Sequence, residues 1–273
     1  MSQQDQAPVV VSLRNIRKAF DTGTTALDNF SLDIREGEFV SLLGPSGCGK
    51  SSALRIIAGL SEPSAGGVEW PAAQPDRKID RERNDRDLID RDLAFVFQEP
   101  TLMPWASVFD NVWLPLRARW VSRERAREQV MDALATVGLE DATQLFPREL
   151  SGGMKMRVSI ARALITRPRV LLMDEPFAAL DEITRFKLNN DLLRLQASFG
   201  WTVLFVTHSV FESVYLSSRI VVMAAAPGRV SCEKTITPSQ PRDDAFRNSR
   251  QYSLYCQEVS TALQTAMDPH GMG

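Results

Sequence analysis

A glycine-rich stretch at residues 44–51 constrains this chain more than any other part of its sequence. It reads Gly-Pro-Ser-Gly-Cys-Gly-Lys-Ser and lies between an apolar run at 39–43 and a helix-like run at 52–58. Strand, glycine-rich loop and helix is the context in which G-x-x-x-x-G-K-S binds phosphate. Glycines let backbone N–H groups ring an anion without a Cβ in the way, and the helix start adds unpaired N–H groups and a positive dipole end. The stretch therefore predicts a site for nucleotide phosphates.

This loop supplies most of the candidate nucleotide-binding residues. They are Gly44, Pro45, Ser46, Gly47, Cys48, Gly49, Lys50, Ser51 and Ser52. Lys50 can reach the β- and γ-phosphates, and the hydroxyl of Ser51 can ligate Mg²⁺. Cys48 lies near Lys50 and the helix start, so we hypothesise an acidified thiol that is sensitive to alkylation. The alternative is a glycine-rich turn with a surface lysine, and the loop by itself does not distinguish kinases, GTPases and motor ATPases.

Composition and charge narrow the class of protein. The 273 residues suffice for one large or two small domains, and 44% of them are apolar. A formal net charge of −2 gives no case for nucleic acid as a partner. The cysteines at 48, 232 and 256 show neither a disulfide framework nor zinc spacing, which predicts a reducing compartment. No apolar run has the length of a membrane span, and the N-terminus does not resemble a signal peptide, so we expect a soluble cytosolic chain. This expectation does not exclude docking on a membrane partner.

Apolar runs alternate with helix-like segments along the chain. The predicted strands are 9–20, 25–34, 39–43, 66–70, 93–97, 170–173, 202–206 and 220–223. The predicted helical segments are 107–150, 151–166, a helix around Leu188, Leu192 and Leu195, 209–216, and a last helix with Tyr255, Val259, Leu263 and Met267 on one face. Within 107–150, the expected helix has Ser122 as its cap, Val130, Met131, Leu134 and Val137 on one face, and Gly138 as its stop.

Continuous apolar strands between helices predict a mainly parallel sheet covered on both faces. A charge-dense stretch at 76–92 is predicted to be a solvated surface loop.

Four polar or glycine residues follow the ends of predicted strands, where sites in parallel sheets gather. They are Gly44, Gln98, Asp174 and His208. Asp174 can hold Mg²⁺, and Glu175 can polarise an attacking water because successive strand side chains point to opposite faces. The alternative is a pair of solvated carboxylates at the end of a strand.

A second anion cradle is predicted at 150–154, which reads Leu-Ser-Gly-Gly-Met. Ser151 is a good helix cap, and Gly152 and Gly153 leave the first N–H groups bare. The alternative is an ordinary capped helix with a flexible start. Placed between the phosphate loop and 170–176, this segment resembles the ABC-type ATPase subunits, and the resemblance covers about 9–230.

The resemblance implies an α/β fold of the P-loop NTPase (ABC ATPase) type. Such a fold has a mixed, mainly parallel sheet core, an N-terminal antiparallel β subdomain and an inserted helical subdomain. The expected domain spans 8–245, with the helical subdomain at about 107–150, and a C-terminal helix and tail follow at 246–273. The role of 76–92 and of 243–273 is left open.

The resemblance also assigns roles to matched positions, with ATP and Mg²⁺ as the bound groups. The implied catalytic residues are Glu175 as the base, His208 as the γ-phosphate switch and Lys50 as the cation on the phosphates. Ser51, Gln98 and Asp174 are the implied metal ligands. Phe20 resembles the aromatic that stacks on adenine, and Asp181 the aspartate that contacts a second copy. Ser151, Gly152 and Gly153 would close over ATP bound on the other subunit of a head-to-tail homodimer. The alternatives are a core aromatic for Phe20, a loop cap for Gln98 and a loop histidine for His208.

A finer match lies at 97–105, together with 110–112 and 114–116. It resembles the subfamily that drives import of nitrate, sulfonates and taurine, in which the surface at 98–116 would receive a coupling helix from transmembrane permease subunits. An exposed Trp105 suits such a socket, and burial inside the helical subdomain is the alternative. The implied protein is the ATP-hydrolysing subunit of a bacterial importer at the cytoplasmic face of the inner membrane. It would serve a solute-binding protein indirectly and contact no nucleic acid.

Two other classes compete with this interpretation. A soluble ABC ATPase acting on ribosomes or DNA is disfavoured because the chain has one cassette, no sustained heptads and balanced charge. A kinase or GTPase gives no reason for the segment at 150–154, and the chain has no Asn-Lys-x-Asp segment to recognise a base. The sequence does not identify the solute.

Overall fold

The computed structural model of the chain describes residues 7–71, 93–224, 227–238 and 241–267. The predicted charged loop at 76–92 lies outside the described residues, which resume at 93. Two compact units divide the chain. The first unit combines residues 1–91 with 200–273, and the second unit is 92–199.

The bounds of the elements follow the predicted alternation closely. The strands are β1 (Val9–Ala19), β2 (Thr25–Arg35), β3 (Phe39–Leu43), β4 (Ala65–Glu69), β5 (Leu93–Val96), β6 (Val170–Asp174), β7 (Thr202–Thr207), β8 (Arg219–Met223) and β9 (Val230–Thr235). The helices are α1 (Lys50–Ile57), α2 (Val108–Ala118), α3 (Arg123–Thr136), α4 (Gly152–Leu164), α5 (Glu182–Phe199), α6 (Val210–Leu216), α7 (Asp244–Arg247) and α8 (Arg250–Met267). Short 3₁₀ turns lie at Glu140–Ala142 and Pro147–Glu149.

The first unit contains two sheet regions. Strands β2, β1 and β4 form an antiparallel sheet in that order. Strands β7, β3, β8 and β9 lie side by side, with β3 parallel to β7 and β8, and β9 antiparallel to β8. Every residue of β3 and β7 is buried, which confirms the prediction that these strands are covered on both faces.

Strand β9 is absent from the sequence-based prediction. Its residues alternate between half-buried and exposed, and its sequence, Val-Ser-Cys-Glu-Lys-Thr, has no continuous apolar run. Pairing with β8, rather than its own composition, makes it a strand.

The last helix, α8, exists as predicted, and its predicted face is correct only in part. Val259 is buried, whereas Met267 is 53% exposed and Tyr255 is half-buried. The buried residues are Tyr252, Cys256, Val259 and Ala266. Tyr252 contacts Phe246 edge to face, with ring centroids 5.4 Å apart, so aromatic packing near the start of α8 sets its rotation.

The second unit contains the parallel pair β5 and β6, together with α2, α3, α4 and α5. Ser107, Ser122 and Ser151 cap α2, α3 and α4, each accepting a hydrogen bond from the N–H three residues on, at 3.2, 3.4 and 3.3 Å. Helix α3 is followed by Gly138 at φ 68, so the predicted start and stop of this helix are confirmed.

Candidate functional site

The loop between β3 and α1 has a backbone shape that requires its glycines. Gly47 and Gly49 have φ values of 79° and 94°, in the left-handed region. A Cβ on Gly49 would lie 2.5 Å from the carbonyl oxygen of Ala26, and one on Gly44 would lie 2.8 Å from Cys48 Sγ. The backbone therefore leaves a cradle without side chains at the start of α1, which fits a phosphate group.

Lys50 lies at the start of α1 with its ammonium group turned back onto the loop. Its Nζ donates hydrogen bonds to the carbonyl oxygens of Gly44 at 2.8 Å and Pro45 at 2.9 Å. The side chain is buried, so these carbonyls offset the cost of removing a charge from water. A cation held at this position suits an anion bound by the same loop.

The thiol of Cys48 is not placed for the reactivity hypothesised from the sequence. Cys48 is 1% exposed, and its Sγ lies 3.9 Å from Lys50 Nζ. Closeness to Lys50 is as expected, but an alkylating reagent also needs access to the sulfur. Burial thus contradicts the alkylation-sensitive thiol and leaves Cys48 as a packed residue of the loop.

Gly228 lies against the backbone of the phosphate loop, and sequence reasoning did not identify it. Its N–H donates to the carbonyl oxygen of Ala26 at 2.9 Å, and its own carbonyl accepts from the N–H of Asp28 at 3.0 Å. A Cβ on Gly228 would lie 2.0 Å from the carbonyl oxygen of Cys48. The available signal was a lone Pro-Gly pair shortly after a buried strand, which marks a turn but not its target.

Two further candidate residues lie in the first unit. His208 is exposed and directly follows β7. Phe20 directly follows β1 and is 46% exposed, with the Nζ of Lys18 5.4 Å from its ring centroid. Phe20 is therefore not a core aromatic, and an exposed ring is what stacking on a base requires.

In the second unit, the two acidic candidates adjoin the end of β6. Asp174 is buried as the last residue of that strand. Glu175 has a φ of 44°, which is a left-handed conformation. This conformation is unfavourable in free energy for any residue other than glycine. Glu175 therefore lies just outside the strand, and the separation of the two carboxylates stays a prediction.

The start of α4 packs against the start of α5 within the second unit. A Cβ on Gly153 would lie 2.6 Å from Thr184 Cγ2, whereas one on Gly152 would lie 3.4 Å from Leu180 Cδ2. Gly153 is thus needed for close helix packing, while Gly152 is exposed. Asp181 Oδ1 accepts from the N–H of Thr184 at 2.9 Å, and hydrogen bonds from Thr184 hold the pKa of Asp181 below its ordinary value.

Gln98 is exposed and follows β5, at the start of a loop that leads to α2. Two side chains hold this loop. Buried Asn111 donates to the carbonyls of Met103, Ala106 and Ser107 at 3.2, 3.1 and 3.0 Å, and its Oδ1 accepts from the N–H of Met103 at 2.7 Å. These bonds fix the backbone on both sides of Trp105, which is 77% exposed.

Arg162, on α4, is the second side chain and was missed by sequence reasoning. It donates to the carbonyl oxygens of Pro100 at 2.8 Å and Thr101 at 2.9 Å, and to the hydroxyl of Thr101 at 3.0 Å. Burial lowers the pKa of its guanidinium. Helix α4, which Ser151 caps, is therefore hydrogen-bonded to the loop that carries Trp105.

The proposed metal ligands offer hydroxyl, amide and carboxylate oxygens at Ser51, Gln98 and Asp174. Oxygen ligands of this kind suit Mg²⁺, which commonly shares its coordination with water and nucleotide phosphates. Within the described residues, no cluster of three His, Cys, Asp or Glu side chains forms a metal site of its own. By their chemistry, the hydroxyl of Ser51 in the first unit and the oxygens of Gln98 and Asp174 in the second unit each fit Mg²⁺.

The sequence profile described as ABC transporter matches residues 27–178, more than half of the chain. The chain belongs to the ABC transporter family. Its ATP-binding domain has the expected fold of an ABC-type P-loop NTPase, and the protein is an ATPase that binds ATP.

Curated relatives align over nearly the whole chain. An uncharacterized ABC transporter ATP-binding protein of Methanocaldococcus jannaschii is 40% identical over 97% of this chain and 95% of the relative. An aliphatic sulfonates import ATP-binding protein of Pseudomonas savastanoi is 42% identical over 86% of this chain and 89% of the relative. Another aliphatic sulfonates import ATP-binding protein, from Xanthomonas axonopodis, is 44% identical over 82% of this chain and 87% of the relative.

Solved structures of ABC proteins are similar to the chain. One is a dimeric ATP-binding cassette in a post-hydrolysis state with ADP and Pi, with a TM-score of 0.72 and 35% identity over 84% of this chain and 99% of that chain. Another, part of an ABC transporter complex of Clostridium perfringens, has a TM-score of 0.73 and 25% identity over 94% of this chain and 99% of that chain. Among the residues that the structure describes, no helix has the length and apolar character of a bilayer span.

Proposed function

We propose that this chain is the ATP-hydrolysing subunit of a bacterial ABC importer for a small solute of the nitrate, sulfonate or taurine type. The observation that carries the proposal is the exposed Trp105, presented on a loop whose backbone is fixed by Asn111 and Arg162. An exposed indole on a fixed backbone is suited to contact a partner protein, because a rigid surface loses little conformational entropy on binding. The aliphatic sulfonate relatives support the solute class.

The partner of this surface would be a transmembrane permease subunit, which places the chain at the cytoplasmic face of the membrane. Trp105 would sit in contact with a short cytoplasmic helix of that subunit. The solute itself would touch a solute-binding protein and the permease. The ATPase would therefore carry no contact that identifies the solute.

In the proposed reaction, the residues of the phosphate loop hold the ATP phosphates. Lys50 exchanges its hydrogen bonds to the loop carbonyls for phosphate oxygens, and Phe20 stacks on adenine. Glu175 accepts a proton from the attacking water, and His208 contacts the γ-phosphate. Ser51, Gln98 and Asp174 would hold Mg²⁺, which neutralises phosphate charge when it is bound.

Two copies of the chain would form each complete site. The Ser151–Gly153 cradle of one copy would close on the ATP of the other, and Asp181 would lie at the contact between copies. Support comes from the exposed Ser151 and Gly152 at the start of α4 and from the dimeric cassette with ADP and Pi. Domain bounds of 8–245, with a helical part at about 107–150 and a C-terminal part at 246–273, remain part of this proposal.

The test reconstitutes the chain in vesicles with candidate permease and solute-binding proteins from the same organism. ATP hydrolysis should rise when the loaded solute-binding protein is added, and Trp105→Ala should abolish that rise. Trp120→Ala is the matched control, because Trp120 is 95% exposed on the same unit and has no proposed contact. A ligand screen on the solute-binding protein would identify the solute. Equal coupling in the Trp105→Ala complex, or purification with ribosomes or DNA instead of membrane protein, would overturn the proposal.

A further inference from the structure

The residues on either side of His208 are both bonded to a single buried carboxylate residue. Thr207, at the end of β7, donates its hydroxyl to Glu212 Oε2 at 2.6 Å. The same hydroxyl accepts a hydrogen bond from the N–H of Ser209 at 2.9 Å. The N–H of Glu212 in turn donates to Ser209 Oγ at 3.3 Å. These bonds form a closed set around the backbone of His208.

The burial of Glu212 needs an explanation. Glu212 is 8% exposed in the first turn of α6, a position where a carboxylate on the surface would interact with the helix dipole at little cost. Moving a carboxylate out of water costs free energy unless hydrogen bonds offset it. The short bond from Thr207, which is itself buried, offsets part of that cost at Glu212 Oε2.

The consequence for His208 is geometric. Thr207 and Ser209 fix the peptide groups that flank His208, while its imidazole remains exposed. An imidazole on a fixed backbone has only its side-chain torsions left to order when it meets a ligand. An unfixed turn at this point would have to order its backbone as well.

We propose that Glu212 is a positioning residue for His208, acting through Thr207 and Ser209 to hold the imidazole toward the γ-phosphate. The proposal rests on the proposed function, in which His208 contacts that phosphate. Glu212 itself does not touch ATP.

The experiment measures kcat and KM for Mg²⁺-ATP in the full chain, assembled with its permease if the isolated chain is inactive. Glu212→Leu and Thr207→Val remove the bond between the two side chains, and kcat should fall about tenfold with KM changed less than about twofold. Glu212→Gln and Thr207→Ser keep an acceptor and a hydroxyl, and they should recover most of kcat. Because the Thr207 pair differs so little in size, it tests the proposal even if Glu212→Leu fails to fold.

Ser213→Ala is the matched control. Ser213 is buried on the same helix, and its hydroxyl donates to the carbonyl oxygen of Val210 at 2.8 Å, away from His208. Its removal should lower the melting temperature about as much as Thr207→Val while leaving kcat within about twofold. Equal losses of kcat in both variants would mean that α6 stability alone matters, and would overturn the proposal.

A double-mutant cycle with His208→Ala separates this inference from the proposed function. If Glu212 acts through His208, Glu212→Leu and Thr207→Val should cause no further loss of kcat in the His208→Ala background. Losses that add to the effect of His208→Ala would overturn the positioning role while keeping His208 in the mechanism. Full kcat in His208→Ala alone would instead refute the proposed role of His208.

Discussion

At the scale of single residues, Gly228 decides whether the phosphate loop keeps its shape. Gly228→Ala would put a methyl group 2.0 Å from the carbonyl oxygen of Cys48, closer than any real contact. The loop backbone must move, so ATP affinity should fall about tenfold and unfolding free energy by about 1–3 kcal/mol. Fluorescent-nucleotide titration and chemical denaturation measure the two effects. Gly67→Ala is the control, because a Cβ there meets nothing within 4 Å, and equal effects of both variants would contradict the prediction.

The same scale marks the limit of sequence reasoning. The places of the phosphate loop, Asp174, Glu175 and His208 at or just after strand ends could be predicted, because continuous apolar runs mark those strands. Their catalytic roles stay predictions. Gly228 could not, since it bonds backbone groups that only the folded chain brings near. Glu212 could not, because its carboxylate meets the hydroxyl of Thr207 only in the folded turn between β7 and α6. The hypothesis of a reactive Cys48 thiol was wrong for a similar reason, because the sequence shows the neighbours of Cys48 along the chain but not its burial.

At the scale of elements, the start of α4 distinguishes two adjacent glycines. A Cβ on Gly153 would lie 2.6 Å from Thr184 Cγ2 on α5, so Gly153→Ala should force the helices apart and cost about 1–3 kcal/mol of stability. Gly152→Ala meets Leu180 at 3.4 Å and should cost less than about 1 kcal/mol, since alanine also favours a helix. Urea denaturation of the pair measures the difference. Equal midpoints would show that helix packing does not require Gly153.

The loop before α2 is held by Asn111 and Arg162, and Asn111 makes the contacts on both sides of Trp105. Asn111→Leu removes four hydrogen bonds and leaves carbonyls of Met103, Ala106 and Ser107 without that donor. Stability should fall by about 2–4 kcal/mol, and proteolysis should cut near Trp105. Limited proteolysis with mass spectrometry locates the cut. Gln129→Leu, at an exposed amide on α3, should change neither result, and an uncut loop in Asn111→Leu would contradict this support role.

Element types and order were largely predictable, because strands buried on both faces and capped helices carry strong local patterns. The rotation of α8 was not. Its sequence permits two apolar faces, and contacts of Tyr252 with Phe246 and with the carbonyl oxygen of Phe211, at 3.0 Å, select one of them. Strand β9 was missed for a related reason, since pairing with β8 rather than composition makes it a strand.

At the scale of the whole molecule, the proposed function requires that ATP binding and ATP turnover separate cleanly. Glu175→Gln keeps the size of the side chain and removes the carboxylate that would accept the proton of the attacking water. Turnover should fall about 10²–10⁴-fold while ATP affinity changes less than about threefold. Because hydrolysis no longer reopens the assembly, ATP should hold two copies together, whereas ADP should not.

Sedimentation velocity with ATP, ADP or no nucleotide measures that assembly. The control is Glu182→Gln, an exposed acid at the start of α5 in the same unit, which should hydrolyse ATP normally and accumulate no dimer. Lys50→Ala added to Glu175→Gln should abolish the ATP-dependent dimer, because the phosphates lose their contact with the Lys50 ammonium group. The loop holds this ammonium group by a 2.8 Å hydrogen bond from Lys50 Nζ to the carbonyl oxygen of Gly44. A Glu175→Gln chain that stays monomeric with saturating ATP would contradict the shared site, and one that hydrolyses ATP at the normal rate would contradict the role of Glu175.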